Sequence, residues 1–285
     1  MEPTKATSKK EQALRRFEQN LQAFRCPICG ETFASTEKFG IRCYHNHTFD
    51  LARNGYLNLL VGKGNSQYGK DLFSARREIF SAGVYDPLIL EVASLIKGLS
   101  LQAPLVLDAG CGEGSLLARL AGIVEMARFV GIDISRDGIQ LAAAQHEPVM
   151  WCVADLAKLP ISNASTDVVL NVLSPANYDE FHRVLKRGGV VIKVIPGGDY
   201  LREIRLRLKG ATPYSNQGVL ANLEANMEIL GRSFLRYEVP VTRELWRAMV
   251  EMTPLTRHRE IQGYPPNHLT IDLQVVQGAF SSLHS

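Results

Sequence analysis

Nowhere in this sequence does an uncharged apolar run approach the ~18 residues that a membrane-spanning helix requires. The opening "MEPTKATSKKEQALRR" has charge but lacks the apolar core of a signal peptide. No membrane partner is expected, and the expected location is the cytoplasm. Cysteine is scarce as well: Cys111 and Cys152 stand apart from the other three of five, which excludes a disulfide framework. Charge of one sign is missing too, because 32 Lys and Arg against 29 Asp and Glu leave a net +3, too little to demand a polyanionic partner. Repeats and low-complexity tracts are absent. With 285 residues and 46% hydrophobic content, the chain suits one large domain plus a small appendage.

Where charge does occur, it is clustered. Lys5, Lys9, Lys10, Arg15, Arg16 and Arg25 crowd the N-terminal region, and "YLREIRLRLKG" places Arg202, Arg205, Arg207 and Lys209 on a short helical stretch. Either patch alone reads as a solvated helix face; the two together suit a nucleic-acid surface.

The remaining cysteines form the strongest local signal. In "CPICGETFASTEKFGIRCYHNH", Cys26 and Cys29 make a C-x2-C knuckle, and Cys43 with His47 supplies a C-x3-H pair. Three thiolates and one imidazole in a closed set favour tetrahedral, structural zinc over a hard cation. His45 competes for the fourth place, although the C-x3-H spacing reaches back across the turn more easily than C-x-H.

Four regions follow from periodicity. Residues 1–24 form a basic extension whose part from 8 to 24 reads as an amphipathic helix, with Ser8 and Glu11 at capping-box spacing and Leu14, Phe17, Leu21 and Phe24 at helical intervals. Residues 25–60 are the zinc lobe, too small to fold without its metal. The stretch 61–71 is a glycine-rich linker expected to isolate that lobe. From 72 to 285 two helices, "LFSARREIFSAG" and "DPLILEVASLIKGL", lead into alternating strands and helices, the pattern of an α/β doubly wound domain.

The centre of that domain is "PLVLDAGCGEGSLLARLA". An apolar strand runs into Asp108, then Gly110, Gly112 and Gly114, then a helix, so the backbone must turn sharply beneath a ligand. The dinucleotide fingerprint G-x-G-x-x-G fails, because Ser115 stands where its third glycine belongs. The D-x-G-x-G-x-G form instead resembles motif I of the class I S-adenosylmethionine-dependent methyltransferases, whose domain is Rossmann-like. Later strands support that resemblance. "FVGIDIS" ends in Asp133, placed to accept the ribose hydroxyls; "VMWCVADLAKLPI" brings Asp155 and Leu156 to the adenine edge; "STDVVLNVLSP" carries Asn171 near its mouth.

The knuckle, "FDLARNGYLNLL", "ARREIFSAGVYDPL", motif I and "SPANYDEFHRVLKRGG" together resemble the RlmA family of 23S rRNA (guanine-N1)-methyltransferases over almost the whole chain. "SPANY" and "KVIPGGDYLREIR" are closer to the Gram-positive branch, which is associated with tylosin resistance. The resemblance implies a zinc lobe that helps recognise a hairpin in domain II of 23S rRNA, and it leaves a homodimer open. It implies Cys26, Cys29, Cys43 and His47 as zinc ligands. For the cofactor it implies Tyr85, the backbone of Gly112 and Glu113, and Tyr200, where the enterobacterial branch has histidine.

Chemistry sets the remaining expectations. Guanine N1 becomes nucleophilic only when its proton leaves, so an acceptor or a polarising contact is needed at some stage. Asn171, Asn177, Tyr178 and Glu180 lie near the expected strand end, with Asn171 the candidate for orienting the base. Tyr178 either stacks on the base or packs beneath the loop. A small-molecule methyltransferase would share the glycine turn but would have no use for the zinc lobe or for Arg202 to Lys209, and an RNA-binding module without turnover would not need the intact turn.

Overall fold

A computed structural model describes residues 8–37, 39–62, 68–145, 148–209, 214–257 and 259–281. The N-terminal helix α1 (Lys9–Glu18) starts on the expected capping box. Ser8 accepts the Glu11 N–H while Glu11 reaches back to the Ser8 N–H, and a 3-10 turn, Leu21–Ala23, completes the region. Lys5 lies outside the described residues, as does 63–67 of the expected linker. Three short strands follow, β1 (Phe33–Glu37), β2 (Gly40–Cys43) and β3 (Thr48–Asp50), paired antiparallel in that order.

The large domain is one mixed sheet of eight strands. Its first strand, β4 (Leu57–Asn58), comes from the end of the zinc lobe. Helices α2 (Lys70–Ser81) and α3 (Asp86–Gly98) precede β5 (Leu105–Ala109), α4 (Ser115–Ile123), β6 (Arg128–Asp133), α5 (Arg136–Ala144), β7 (Val149–Val153) and β8 (Thr166–Val172). The chain continues through α6 (Tyr178–Val184), β9 (Leu185–Pro196), the single turn α7 (Arg202–Arg205), α8 (Gln217–Asn226), β10 (Glu228–Pro240), α9 (Arg243–Met252) and β11 (His268–Ala279). The order across the sheet is β10-β11-β9-β8-β5-β6-β7-β4. Strands β4 to β9 are parallel to one another, whereas β11 runs antiparallel to both β9 and β10.

This order fixes where a ligand can bind. Connections from β5 proceed to β6 on one side while β8 lies on the other, so the sheet reverses direction at the carboxyl end of β5, the crevice that open α/β sheets use. All five residues of β5 are buried, as expected for a central strand covered on both faces. One face packs on α2 to α5 and α9; the other packs on α1, the zinc lobe, α6 and α8. Among the described residues no single helix is long and apolar enough to cross a membrane. The α2 and α3 pair would reach that length only with an 80° bend, and its apolar side chains are buried in the core.

The zinc lobe is not held apart as the linker implied. Leu57 and Asn58 pair with Cys152 and Val153, Leu59 donates to the Val153 carbonyl, and Arg25 and Ala23 bond to Pro160 and Ser162. Phe17, Phe24, Cys26, Phe33 and Ile41 share one apolar cluster with Leu107, Val130 and Phe181. Residues 8–60 are built onto the sheet because the lobe buries its apolar side there, which a small domain cannot do alone.

Candidate active site and metal centre

Two backbone turns shape the metal centre. Gly30, at φ 81°, closes the first knuckle with its N–H on the Cys26 carbonyl, and Asn46, at φ 63°, closes the second on Cys43. Both occupy the left-handed region that glycine and asparagine tolerate best. The turns bring Cys26, Cys29, Cys43 and His47 within 4.8 Å of one another. Cys29 and Cys43 sulfurs are 3.7 Å apart, and His47 Nδ1 lies 3.6 Å from Cys26 Sγ and 3.4 Å from Cys43 Sγ. A zinc tetrahedron with ordinary bond lengths has edges of ~3.8 Å between sulfurs and ~3.6 Å from sulfur to nitrogen. The donors therefore fit zinc with no position left for water. His45 stays outside the cluster, exposed, which resolves the choice in favour of His47.

The glycine turn sits where the sheet reverses. Gly110, Gly112 and Gly114 have φ of 92°, 58° and 78°. A Cβ on Gly110 would meet Ser174 Oγ at 2.1 Å, and one on Gly114 would meet Trp151 at 2.5 Å, so both close approaches require glycine. Asp133 holds the turn from β6: its carboxylate accepts the Gly112 and Ser135 N–H groups, both at 2.8 Å. Each oxygen keeps a free lone pair for a hydroxyl. Burial raises the Asp133 pKa against the pull of those bonds.

Asp108 is the unsatisfied group. It is fully buried at the end of β5, its Oδ1 has no hydrogen-bond partner, and burial lifts its pKa to about 7, with Arg76 opposing and Asp133 and Glu113 adding to the rise. Glu113 is also buried; Ser115 Oγ donates to it at 2.5 Å and Arg77 stands 3.6 Å away. The orphaned oxygen and the side-chain-free turn fit S-adenosylmethionine, which offers a donor for the one and an adenosine backbone for the other.

Other expected contacts are partly brought together. Leu156 Cδ1 would lie 3.6 Å from a Cβ on Gly110, at the turn, while Asp155 is exposed and accepts the Ala157 N–H. Tyr85 and Tyr200 share a 2.6 Å hydroxyl bond, with Tyr200 positioned by Gly197, which is locked against Asp272 of β11.

Asn171 departs from expectation. It is wholly buried, donating to the Ala109 and Pro175 carbonyls at 3.0 Å and accepting from Lys193, so its amide hydrogens are already used. Lys193, buried in β9, also donates to the Ser174 carbonyl at 3.2 Å, and burial lowers its pKa to about 8. The pair pins residues 174 and 175, just after Leu173 at φ 52°. Tyr178 is buried against Phe181, which selects packing over stacking. Asn177 caps α6, and Glu180 is bound to Arg183 at 2.7 Å; burial works to raise the Glu180 pKa, but the Arg183 and Leu159 bonds prevail and lower it. Sequence reasoning missed Arg76, Ser174 and Lys193, because a helical arginine and a lysine near a strand end resemble solvated positions.

Comparison with known proteins agrees with this geometry. The "RlmA, N-terminal" zinc-ribbon model matches residues 24–65 and the "Methyltransferase domain" model matches 106–189. YxjB of Bacillus subtilis (strain 168), named provisionally as a 23S rRNA (guanine-N(1)-)-methyltransferase, is 41% identical over 90% of this chain and 96% of its own. The chain belongs to the 23S rRNA (guanine-N1)-methyltransferases. A second member of that family, the 23S rRNA (guanine(748)-N(1))-methyltransferase of Streptomyces fradiae, is 31% identical over 83% of this chain and 86% of its own. A provisionally named relative from Micromonospora griseorubida is 31% identical over 84% and 88%. The chain is thus an S-adenosylmethionine-dependent methyltransferase with a Cys3His zinc ribbon, and its substrate is RNA.

Proposed function

We propose that this methyltransferase modifies N1 of one unpaired guanine in a hairpin loop of domain II of 23S rRNA, with the zinc lobe reading the loop. The observation that carries the reading is the joining of the ribbon to the catalytic sheet through β4 and β7. It fixes the lobe relative to the glycine turn, as a ruler between loop and target base would require. Ile28 and Tyr44, in the two metal knuckles, are exposed, and Tyr44 offers a ring face to an unstacked base.

S-adenosylmethionine supplies an activated methyl group on a sulfonium, so the protein's task is alignment. Asp133 would take the ribose hydroxyls and Leu156 would cover the adenine, with Tyr85 and Tyr200 bordering the site. Asn171 and Lys193 act from beneath, holding the Ser174 and Pro175 carbonyls that border the base. Asn177, Tyr178 and Glu180 are engaged internally, as the α6 cap, against Phe181 and with Arg183. An extruded base is the cheaper substrate, since N1 in a paired stem would have to be unpaired first.

Tritium transfer from labelled cofactor to purified 23S rRNA, ribosomal subunits and a panel of small phenols tests the reading. Label is expected on the RNA alone, with primer extension stopping at one unpaired domain II guanine, because an N1 methyl blocks the pairing edge. Labelled phenol, or a stop inside a stem, would overturn it.

A further inference from the structure

The carboxyl edge of the sheet carries more than the glycine turn. Strand β9 ends there at Pro196 and β11, antiparallel to it, begins there, so the segments 197–209 and 259–267 both emerge at the edge that holds the turn. Tyr200, near the root of the first segment, reaches Tyr85 through its hydroxyl bond. The two segments are tied to each other. Leu208 bridges Ile261, the Gln262 N–H donates to the Arg207 carbonyl at 2.9 Å, and Arg207 Nε donates to the Tyr264 carbonyl at 2.9 Å. On this fixed backbone Tyr264 is 89% exposed and Leu206 81%, so neither side chain serves the core.

Beside that ring stand two cations without an acid. Arg207 bonds to the Tyr264 and Glu203 carbonyls and lies 6.0 Å over Trp246. Arg205 bonds to the Gly198 carbonyl and lies 5.2 Å over Tyr214. Neither has an ion pair among the described residues. Of the acids on the two segments, Asp199 is paired with Arg236, and Glu203 with Arg202 and Thr270, which leaves Glu260 against the exposed Lys209 and Arg259.

Resting on RNA as the substrate, we propose that the two segments form a strand clamp beside the active site: the Tyr264 ring carries an unpaired base neighbouring the one to be methylated, and Arg205 and Arg207 take the phosphates around it. A guanidinium held by neutral carbonyls keeps its full charge and its remaining N–H groups for a phosphate. Extruding a base strips its neighbour of a stacking partner, and the Tyr264 ring replaces the lost surface. Stacking uses the ring face, so the contact accepts any base and does not need the hydroxyl.

The test compares wild type and variants of the zinc-loaded full chain on in-vitro-transcribed 23S rRNA, free of ribosomal proteins, by filter binding and by tritium transfer from labelled cofactor. Tyr264→Ala is expected to weaken RNA binding and raise KM by about five- to a hundredfold, the span for one stacked base, with the salt dependence unchanged because no charge is lost. Its S-adenosylhomocysteine affinity and melting temperature should not move, since so exposed a ring holds none of the core. Tyr264→Phe and Tyr264→Trp keep a ring and should stay within about twofold of wild type. Unchanged RNA binding in Tyr264→Ala, or equal losses in Tyr264→Ala and Tyr264→Phe, would overturn the clamp while leaving the wild-type activity on RNA standing. A loss seen on ribosomal subunits but absent on the bare transcript would give the surface to a protein neighbour and overturn it as well. A wild type that transfers no label to RNA would overturn both the clamp and the proposed function.

Discussion

Asp133 holds the turn through the Gly112 and Ser135 N–H groups, and its proposed role toward the ribose is tested by substitution. Asp133→Ala removes the acceptor for Gly112 and Ser135 as well as for the ribose, so S-adenosylhomocysteine affinity should drop by about 1–3 kcal/mol in calorimetry. Asp133→Asn keeps one acceptor oxygen and should lose less. Lys193 gives a pH signature. Its folded pKa, about 8, lies below the ordinary lysine value of 10.5, so the unfolded chain binds more protons between those limits. Its contribution to stability therefore rises with pH through that window, opposite in sign to the buried tyrosines Tyr85 and Tyr200, whose pKa values are raised by burial. In denaturant melts from pH 7 to 10.5 the wild type should gain stability relative to Lys193→Met as pH rises, by up to about 3 kcal/mol. Parallel curves would show that Lys193 is already neutral or is solvated. At this scale the sequence was legible where chemistry needs a rigid spacing, as in Cys26 to His47 and Gly110 to Gly114. Arg76 and Lys193 were not legible, because their roles depend on which strands and helices meet around them.

Elements were legible where periodicity was strong: α2 to α4 and β5 to β8 lie where the apolar patterns put them, whereas the helix expected over 8–24 ends at Glu18 and gives way to a 3-10 turn, with Phe24 extended against Ile161. The last third of the chain was not read. In β10 the half-buried Ser233, Leu235, Tyr237 and Val239 alternate with the exposed Arg232, Phe234, Arg236 and Glu238, so apolar residues fall on both faces, and only the long pairing with β11 reveals the strand. The basic stretch "YLREIRLRLKG" also changes meaning, since α7 is a single turn. Arg202 is neutralised by Glu203 at 3.0 Å and Glu238 at 3.7 Å, whereas Arg205 stacks over Tyr214 and Arg207 bonds to the Tyr264 carbonyl beside an exposed ring. Neutral partners leave the charges of Arg205 and Arg207 available. Replacing these two with glutamine should flatten the logarithmic salt dependence of RNA binding by up to about 1.4–1.8, and adding Arg202→Gln should change it little. Filter binding at graded salt decides; a third equal step would return Arg202 to the interface.

Taken whole, the molecule couples its metal to its sheet. Because β4 pairs with β7 and residues 8–60 share the apolar core of one face, zinc removal should not unfold the ribbon alone. Hydrogen exchange read by mass spectrometry should show faster exchange in Cys26→Ser both at Leu57–Asn58 and along Val149–Val153. Exchange confined to residues 25–50 would restore an independent lobe. Most of the fold was legible at this scale because strand order follows from short right-handed parallel connections. The attachment of the ribbon was hidden in a strand of two residues.

That short strand has a consequence for the life of the protein in the cell. With β4 in place, the carboxyl end of β7 is covered; without it, Cys152 and Val153 lose their pairing on that side and lengthen the bare edge of an apolar strand, the template on which other chains assemble. A chain that fails to take up zinc would thus be expected to expose that edge, so the metal also guards against edge-to-edge association.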